Sequence, residues 1–224
     1  MKSDTIGWLT HEYNFFTMLK ILNMTGATIL DLGAGRCWLS KWMSMMGAKV
    51  IAFDAMEHPT LGLGAGAVFM QNHDIYFDRI SGDFNELPFE DGIFDIVLST
   101  GSMHHSNDLS QTIREVSRVL KKEGTLAIVN EPVGSVRLRD ETIKLQGAQQ
   151  GINGHEYRIT RYLSLFKENS IRMATINETV SEYERGSFYY QGPLASLVNK
   201  SMIGRLIYLV MFGGVLNCTA IKSL

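Results

Sequence analysis

The sequence is poor in cysteine, in clustered positive charge and in long apolar stretches, and each shortage removes a class of function. Two cysteines, Cys37 and Cys218, occur in 224 residues. They lie far apart, in a candidate loop and a candidate strand, and are expected as free thiols of a reducing compartment rather than as a disulfide framework. Lys and Arg number 21 against 23 Asp and Glu, a formal net charge of -2 without a basic run, so nucleic acid is not the expected partner. The apolar run from Met202 to Phe212 is too short for a membrane span and is interrupted by Arg205. The opening residues MKSDTIGWLT lack the basic-then-apolar layout of a secretory leader, which makes the cytoplasm the expected location. The length suits one domain with a sizeable core and an added cap.

What is present is organised around the stretch from Ile29 to Trp38. Thr28 to Leu32 reads as a buried strand, and Gly33 and Gly35 then let the backbone turn with positive φ and approach a ligand closely. A helix from Trp38 to Met46 follows, with its free amides and positive end aimed back at the turn. Asp31, two residues before Gly33, would repel a pyrophosphate and suits a ligand that carries an ammonium group. The dinucleotide pattern G-x-G-x-x-G fails, because Trp38 stands at its third glycine. Lys49 to Asp54 reads as a second buried strand. Asp54 lies 21 residues beyond Gly33, the spacing at which a strand-end carboxylate accepts both hydroxyls of a ribose, whichever cofactor carries it.

The Gly-rich piece from Gly62 to Gly66 reads as a loop entering a crossover helix, and Ile75 to Ser81 as a third strand ending in Gly82-Asp83-Phe84. A carboxylate there can select an exocyclic amine, since it only accepts hydrogen bonds. The block Leu87-Pro-Phe-Glu-Asp-Gly-Ile-Phe-Asp-Ile-Val-Leu-Ser99 runs an acidic turn into a fourth strand, Phe94 to Ser99, followed by Thr100-Gly-Ser-Met-His104-His105. Asn107 or Asp108 caps the next helix, whose Leu109, Ile113, Val116 and Leu120 form one apolar face. Thr125 to Asn130 is a fifth strand, ending in Glu131-Pro132.

The pattern D-x-G-x-G at Asp31 to Gly35 resembles motif I of the class I S-adenosylmethionine-dependent methyltransferases, with Cys37 where that family usually has a third glycine. The Leu87 to Ser99 block closely resembles the type 11, small-molecule, methylases of that class. The resemblance covers residues 28 to 132 and implies a Rossmann-like, doubly wound α/β fold: a seven-stranded sheet of order 3-2-1-4-5-7-6 with the last strand antiparallel. It implies S-adenosylmethionine as cofactor and no metal. Asp31, Gly33, Ala34 and Gly35 would hold its methionine end, Asp54 and Ala55 its ribose, Asp83 and Phe84 its adenine, with Thr100 and Gly101 completing the site. A nicotinamide oxidoreductase, the rival on the same fold, would need the missing glycine and a Tyr-x-x-x-Lys or comparable hydride site.

Methyl transfer is an in-line displacement, so a base is needed only where the acceptor is protonated. His104, His105 and Glu131 are the candidate bases; the alternatives are that the histidines organise the loop beside the cofactor and that Glu131 makes a salt bridge or a helix cap. Gly151 to Arg158 reads as a polar loop, with His155 and Tyr157 as candidate substrate contacts. Ile171 to Val180 and Val215 to Lys222 read as the sixth and seventh strands. The domain then divides into an N-terminal helix within 1–24, where Trp8, His11 or Tyr13 closes the site or the helix simply packs, a cofactor-binding core at 25–132, and an insertion at 182–213. That insertion suits a cap over the acceptor, a homodimer contact or, less well, a membrane surface. The expected activity is methylation of a small-molecule acceptor, with oxygen favoured. The alternative is a cofactor-binding scaffold or regulatory protein without turnover.

Overall fold

The computed structural model describes residues 12–73, 75–136, 142–144, 154–177, 201–212 and 214–223. Trp8, His11 and residues 182–200 of the insertion lie outside the described residues.

A parallel sheet covered by helices on both faces needs strands that are apolar on both sides, and the central strands here have that composition. β1 (Thr28–Leu32) lies between β2 (Lys49–Asp54) and β4 (Phe94–Thr100), parallel to both. β3 (Asp78–Ser81) extends the sheet beyond β2, and β5 (Leu120–Gly134) lies parallel to β4. β9 (Gly214–Lys222) runs antiparallel to β5, and β8 (Ile171–Ile176) antiparallel to β9. With β9 and β8 as the seventh and sixth strands of the sequence reading, the expected order 3-2-1-4-5-7-6 is the one observed.

Two short strands were not expected. β7 (His155–Arg158) pairs parallel with Val133 and Gly134 at the far end of β5, and β6 (Thr142–Lys144) pairs antiparallel with β7. Residues 155–158, read from their polarity as loop, are thus a strand held by its partner.

One face of the sheet carries α1 (residues 12–19), α2 (Trp38–Met45) and α3 (Gly66–His73), with Phe15, Met18, Leu39 and Met43 buried against Ile29, Val50, Leu98 and Val129. The other face carries α4 (Leu109–Val119), α5 (Ile159–Glu168) and α6 (Met202–Phe212). There Ile113, Val116, Tyr162, Leu165 and Leu209 pack against Leu30, Val97, Leu126 and Ile128. Asp108 caps α4, its carboxylate accepting from the Ser110 and Gln111 amides. Among the described residues, α6 lies between β8 and β9. Among the described residues no helix is long and apolar enough to cross a membrane, and no cluster of side chains is arranged to hold a metal ion.

Candidate active site

The carboxyl ends of β1, β2, β3 and β4 come level, since Leu32 pairs with Phe53 and Ser99, and Asp54 with Ser81. An open parallel sheet binds ligands beyond these ends. A cavity of about 740 Å³ lies there, within the ordinary range for a cofactor or drug-sized ligand. Of the residues singled out from the sequence, Gly33, Gly35, Asp54, Ala55, Asp83, Phe84, Thr100, Gly101 and His105 line it.

The turn after β1 is shaped by two constraints. Gly33 has a φ of 81°, and a Cβ there would lie 2.2 Å from the Ser102 Cβ. The Ser102 hydroxyl in turn donates to the Leu32 carbonyl (2.7 Å) and contacts the Ser99 hydroxyl (2.7 Å), so the loop after β4 is seated against the glycine turn. Ser102 also lines the cavity; sequence reasoning passed over it, although it sits within the Thr100 to His105 motif. Cys37, at the position of the family's third glycine, has a φ of 60° and precedes α2 without a side-chain cap. Its left-handed backbone explains why glycine suits the position. In place of a cap, the Asp31 carboxylate accepts the Ser40 amide of the first α2 turn.

Asp31 does not line the cavity. It lies beneath the turn, 1% exposed, where its Oδ2 accepts from the Ser40 hydroxyl at 2.5 Å. Burial raises its pKa from 3.8 to about 7; the Ser40 hydrogen bond opposes this and the Asp54 carboxylate adds to it. Asp54 accepts the Gly35 amide on Oδ2 and the Met56 amide on Oδ1, both at 2.9 Å, which ties the glycine turn to the end of β2. Lone pairs remain on both oxygens for hydroxyl donors. Asp83 is exposed and accepts the Asn85 amide at 2.8 Å, and the half-buried Phe84 ring lies 6.4 Å from that of Phe53. The Thr100 Oγ1 is buried with no partner among the described residues. Ala34 does not line the cavity; it packs against the core beneath α1 and α2, and its amide donates to the Phe53 carbonyl at 3.1 Å. A glycine cradle that one methyl would fill, an orphaned hydroxyl and two strand-end carboxylates fit an adenosyl group with an amino-acid tail.

The two histidines divide. His105 lines the cavity, whereas His104, in the same short 3-10 turn (Met103–His105), directs its Nδ1 to within 3.4 Å of Glu131 Oε1. That is ion-pair reach rather than hydrogen-bond geometry, and the two imidazole centroids are 3.9 Å apart. Glu131 is fully buried, its Oε1 accepts from the Tyr162 hydroxyl at 2.8 Å, and its Oε2 has no partner among the described residues. Burial and the Glu131 carboxylate push the Tyr162 phenol well above its ordinary pKa, so it stays a donor. Nothing in the sequence marked Tyr162, which reads as one more apolar-face residue of α5.

His155 and Tyr157 sit on β7, outside the cavity. Tyr157 is 7% exposed; its ring lies 6.3 Å from Tyr162 and 5.7 Å from His155, and its hydroxyl donates to the Ser106 carbonyl at 3.5 Å. It packs behind the loop that carries the histidines.

The methyltransferase-domain family model matches residues 30–128. Over 179 residues the chain is 24% identical to an uncharacterized methyltransferase, YcgJ, of Bacillus subtilis, covering 80% of this chain and 70% of that one. The crystal structure of YcgJ superposes with a TM-score of 0.66 at 19% identity, over 96% of this chain and all of that one. A sarcosine/dimethylglycine N-methyltransferase of Halorhodospira halochloris is 32% identical over 97 residues, 43% of this chain and 34% of that protein. A malonyl-[acyl-carrier protein] O-methyltransferase of Buchnera aphidicola is 28% identical over 159 residues, 71% of this chain and 58% of that protein. The chain thus spans less than two thirds of these last two relatives. Over residues 30–128, just under half of its length, the chain is thus similar to the methyltransferase-domain family.

Proposed function

We propose that this protein transfers the methyl group of S-adenosylmethionine to a small-molecule acceptor in the cytoplasm, with oxygen acceptors favoured. One observation carries the reading: a single cavity is walled by the glycine turn, Asp54 and Asp83 on one side and His105 on the other. When bound, the sulfonium supplies an electrophilic methyl group. In this reading the methionine end lies over the glycine turn, with its ammonium toward the Asp31 carboxylate buried beneath it. Asp54 accepts the ribose hydroxyls, Asp83 the adenine amine, and Phe84 lies against the ring. His105 takes the proton of a hydroxyl acceptor, its ring set by contact with His104, which Glu131 and Tyr162 hold from behind. His155 and Tyr157 bound the acceptor side by supporting that loop.

The relatives act, by name, on oxygen in one case and nitrogen in another. A histidine at the cavity wall favours oxygen, because an alcohol or phenol needs its proton removed and a neutral amine does not. The exposed Ile203, Ile207 and Met211, one turn apart on α6, support a role of that helix in covering the acceptor or meeting a second copy of the chain. Tyr13, exposed on α1, is the described residue of that helix proposed to help close the site.

Calorimetry with S-adenosylmethionine, followed by measurement of S-adenosylhomocysteine release with phenols, hydroxy acids and amines, tests the reading. Binding is expected, with product from an oxygen acceptor, and His105→Ala should lower turnover about 100-fold or more while cofactor affinity holds. A failure to bind, or binding of a dinucleotide instead, overturns it. Binding without product across the whole panel favours the scaffold alternative.

A further inference from the structure

Glu131 reaches His104 only because strand alternation breaks just before it. Along β5, Leu126 and Ile128 enter the core beneath α4 and α5, while Ala127 and Val129 enter the core beneath α1 and α2. Side chains of a regular strand alternate, which would send residue 130 toward α5 and Glu131 toward α1. The pairing with β9 slips at this point: Ile128 pairs with Cys218 but Glu131 with Leu216, so β5 carries one residue more than its partner. This is a β-bulge, a feature that re-aims a side chain. Asn130 takes up the distortion with a φ of 55°.

The bulge is held from two elements. The Asn130 Oδ1 accepts from the Asn14 side-chain amide of α1 at 2.7 Å, and the Asn130 backbone amide donates to Asn217 Oδ1 of β9 at 2.7 Å. Asn130 therefore faces α1, as Val129 does, and Glu131 and Val133 face α5. On the α1 side Glu131 would have met Phe15, Met18 and Val129, an apolar cluster where a buried carboxylate is costly. The loop bearing the histidines hangs from the same place, since the Gly101 amide donates to the Val129 carbonyl at 2.8 Å.

We propose that Asn130 is a positioning residue for the acceptor half of the site: its left-handed bulge, braced by Asn14 and Asn217, aims Glu131 at His104. The proposal rests on the reading of Glu131 and His104 given above. Asparagine suits the place twice over, tolerating positive φ and bridging to α1, whereas a β-branched residue resists that backbone.

The test reads the His104 imidazole by NMR in the cofactor-free protein, with Glu131→Gln as the reference for a lost carboxylate. Asn130→Val should move the His104 signal toward its Glu131→Gln position and lower kcat at least about tenfold, with KM for S-adenosylmethionine held within about twofold. Asn130→Gly, which adopts the same φ without strain but gives up the Asn14 bridge, should move the signal less than valine does. Should Asn130→Val not fold, Asn14→Ala carries the test from outside the strand and should move the signal in the same direction. A His104 signal unmoved in the foldable variant, or moved as far by glycine as by valine, overturns the proposal. Because the signal is read without cofactor, its failure counts against the bulge, while a wild type that releases no S-adenosylhomocysteine counts against the functional reading.

Discussion

Replacing Asp31 by asparagine separates what this carboxylate costs the fold from what it gives the ligand. Asp31 is 1% exposed, and burial is the largest cause of the rise in its pKa from 3.8 to about 7. In the unfolded chain the group returns to its ordinary value, so the native state binds the proton more tightly. Stability is then fully present below pH ~4 and is lost as pH rises through ~7. At about 1.4 kcal/mol per pH unit, the loss amounts to roughly 4 kcal/mol at pH 8. Asparagine does not titrate, and its weaker hydrogen bond with Ser40 costs on the order of 1 kcal/mol. Asp31→Asn should therefore be more stable than wild type by about 2–3 kcal/mol at pH 8, the difference narrowing toward pH 4. S-adenosylmethionine should reverse the ranking, because an ammonium beside the carboxylate favours its charged form. Wild-type affinity should accordingly rise with pH through 7, and the variant's should not. Urea unfolding at pH 4.5 and 8, with and without the cofactor, together with calorimetry, measures each quantity. A variant no more stable than wild type at pH 8 would refute the burial argument, and one that binds the cofactor as tightly as wild type would detach the acid from the ligand.

Gly33→Ala puts a Cβ 2.2 Å from the Ser102 Cβ at a φ of 81°, so it should cost roughly 2–4 kcal/mol of stability in denaturant titration and abolish cofactor binding; near-wild-type stability would mean that the turn is not packed as described. Asp54→Ala should weaken S-adenosylmethionine binding by about 1–3 kcal/mol in calorimetry, since it removes the acceptor of the Gly35 and Met56 amides as well as any ribose contact. Unchanged affinity would remove Asp54 from the site. Burial pushes both thiols, Cys37 and Cys218, up to about 12, so at pH 7.5 neither should react with iodoacetamide until the protein is unfolded. Rapid native alkylation of either would contradict their placement.

How much of this was legible in the sequence depended on the range of the interaction that fixes each feature. β1, β2 and β4 are buried on both faces, so continuous apolar runs revealed them without reference to a partner. The glycine turn was legible because positive φ is a local demand that few residues meet. Asp31 was singled out as a ligand group, but its burial was not visible, since that depends on Ser40 closing over it from α2. His155 to Arg158 have no strand signature of their own; the strand exists because Val133 and Gly134 offer an edge to pair with. His104 and His105 are adjacent and chemically alike, and their separation into one facing Glu131 and one facing the cavity follows from the phase of a three-residue helical turn.

Glu131 shows where a local reading stops. Its chemistry was legible and its direction was not, because an alternating pattern read along Leu126 to Glu131 puts the carboxylate on the wrong face of the sheet. The extra residue that corrects it is specified by Asn14 and Asn217, which are 116 and 87 positions away in the chain. A bulge of this kind leaves no periodic trace in β5; its one local mark is an asparagine at the end of an apolar strand, where positive φ is tolerated. An Asn followed by a buried acid at a strand end is therefore a reason to ask whether alternation holds, and in this chain the answer decides whether Glu131 meets His104 or a wall of Phe15 and Met18.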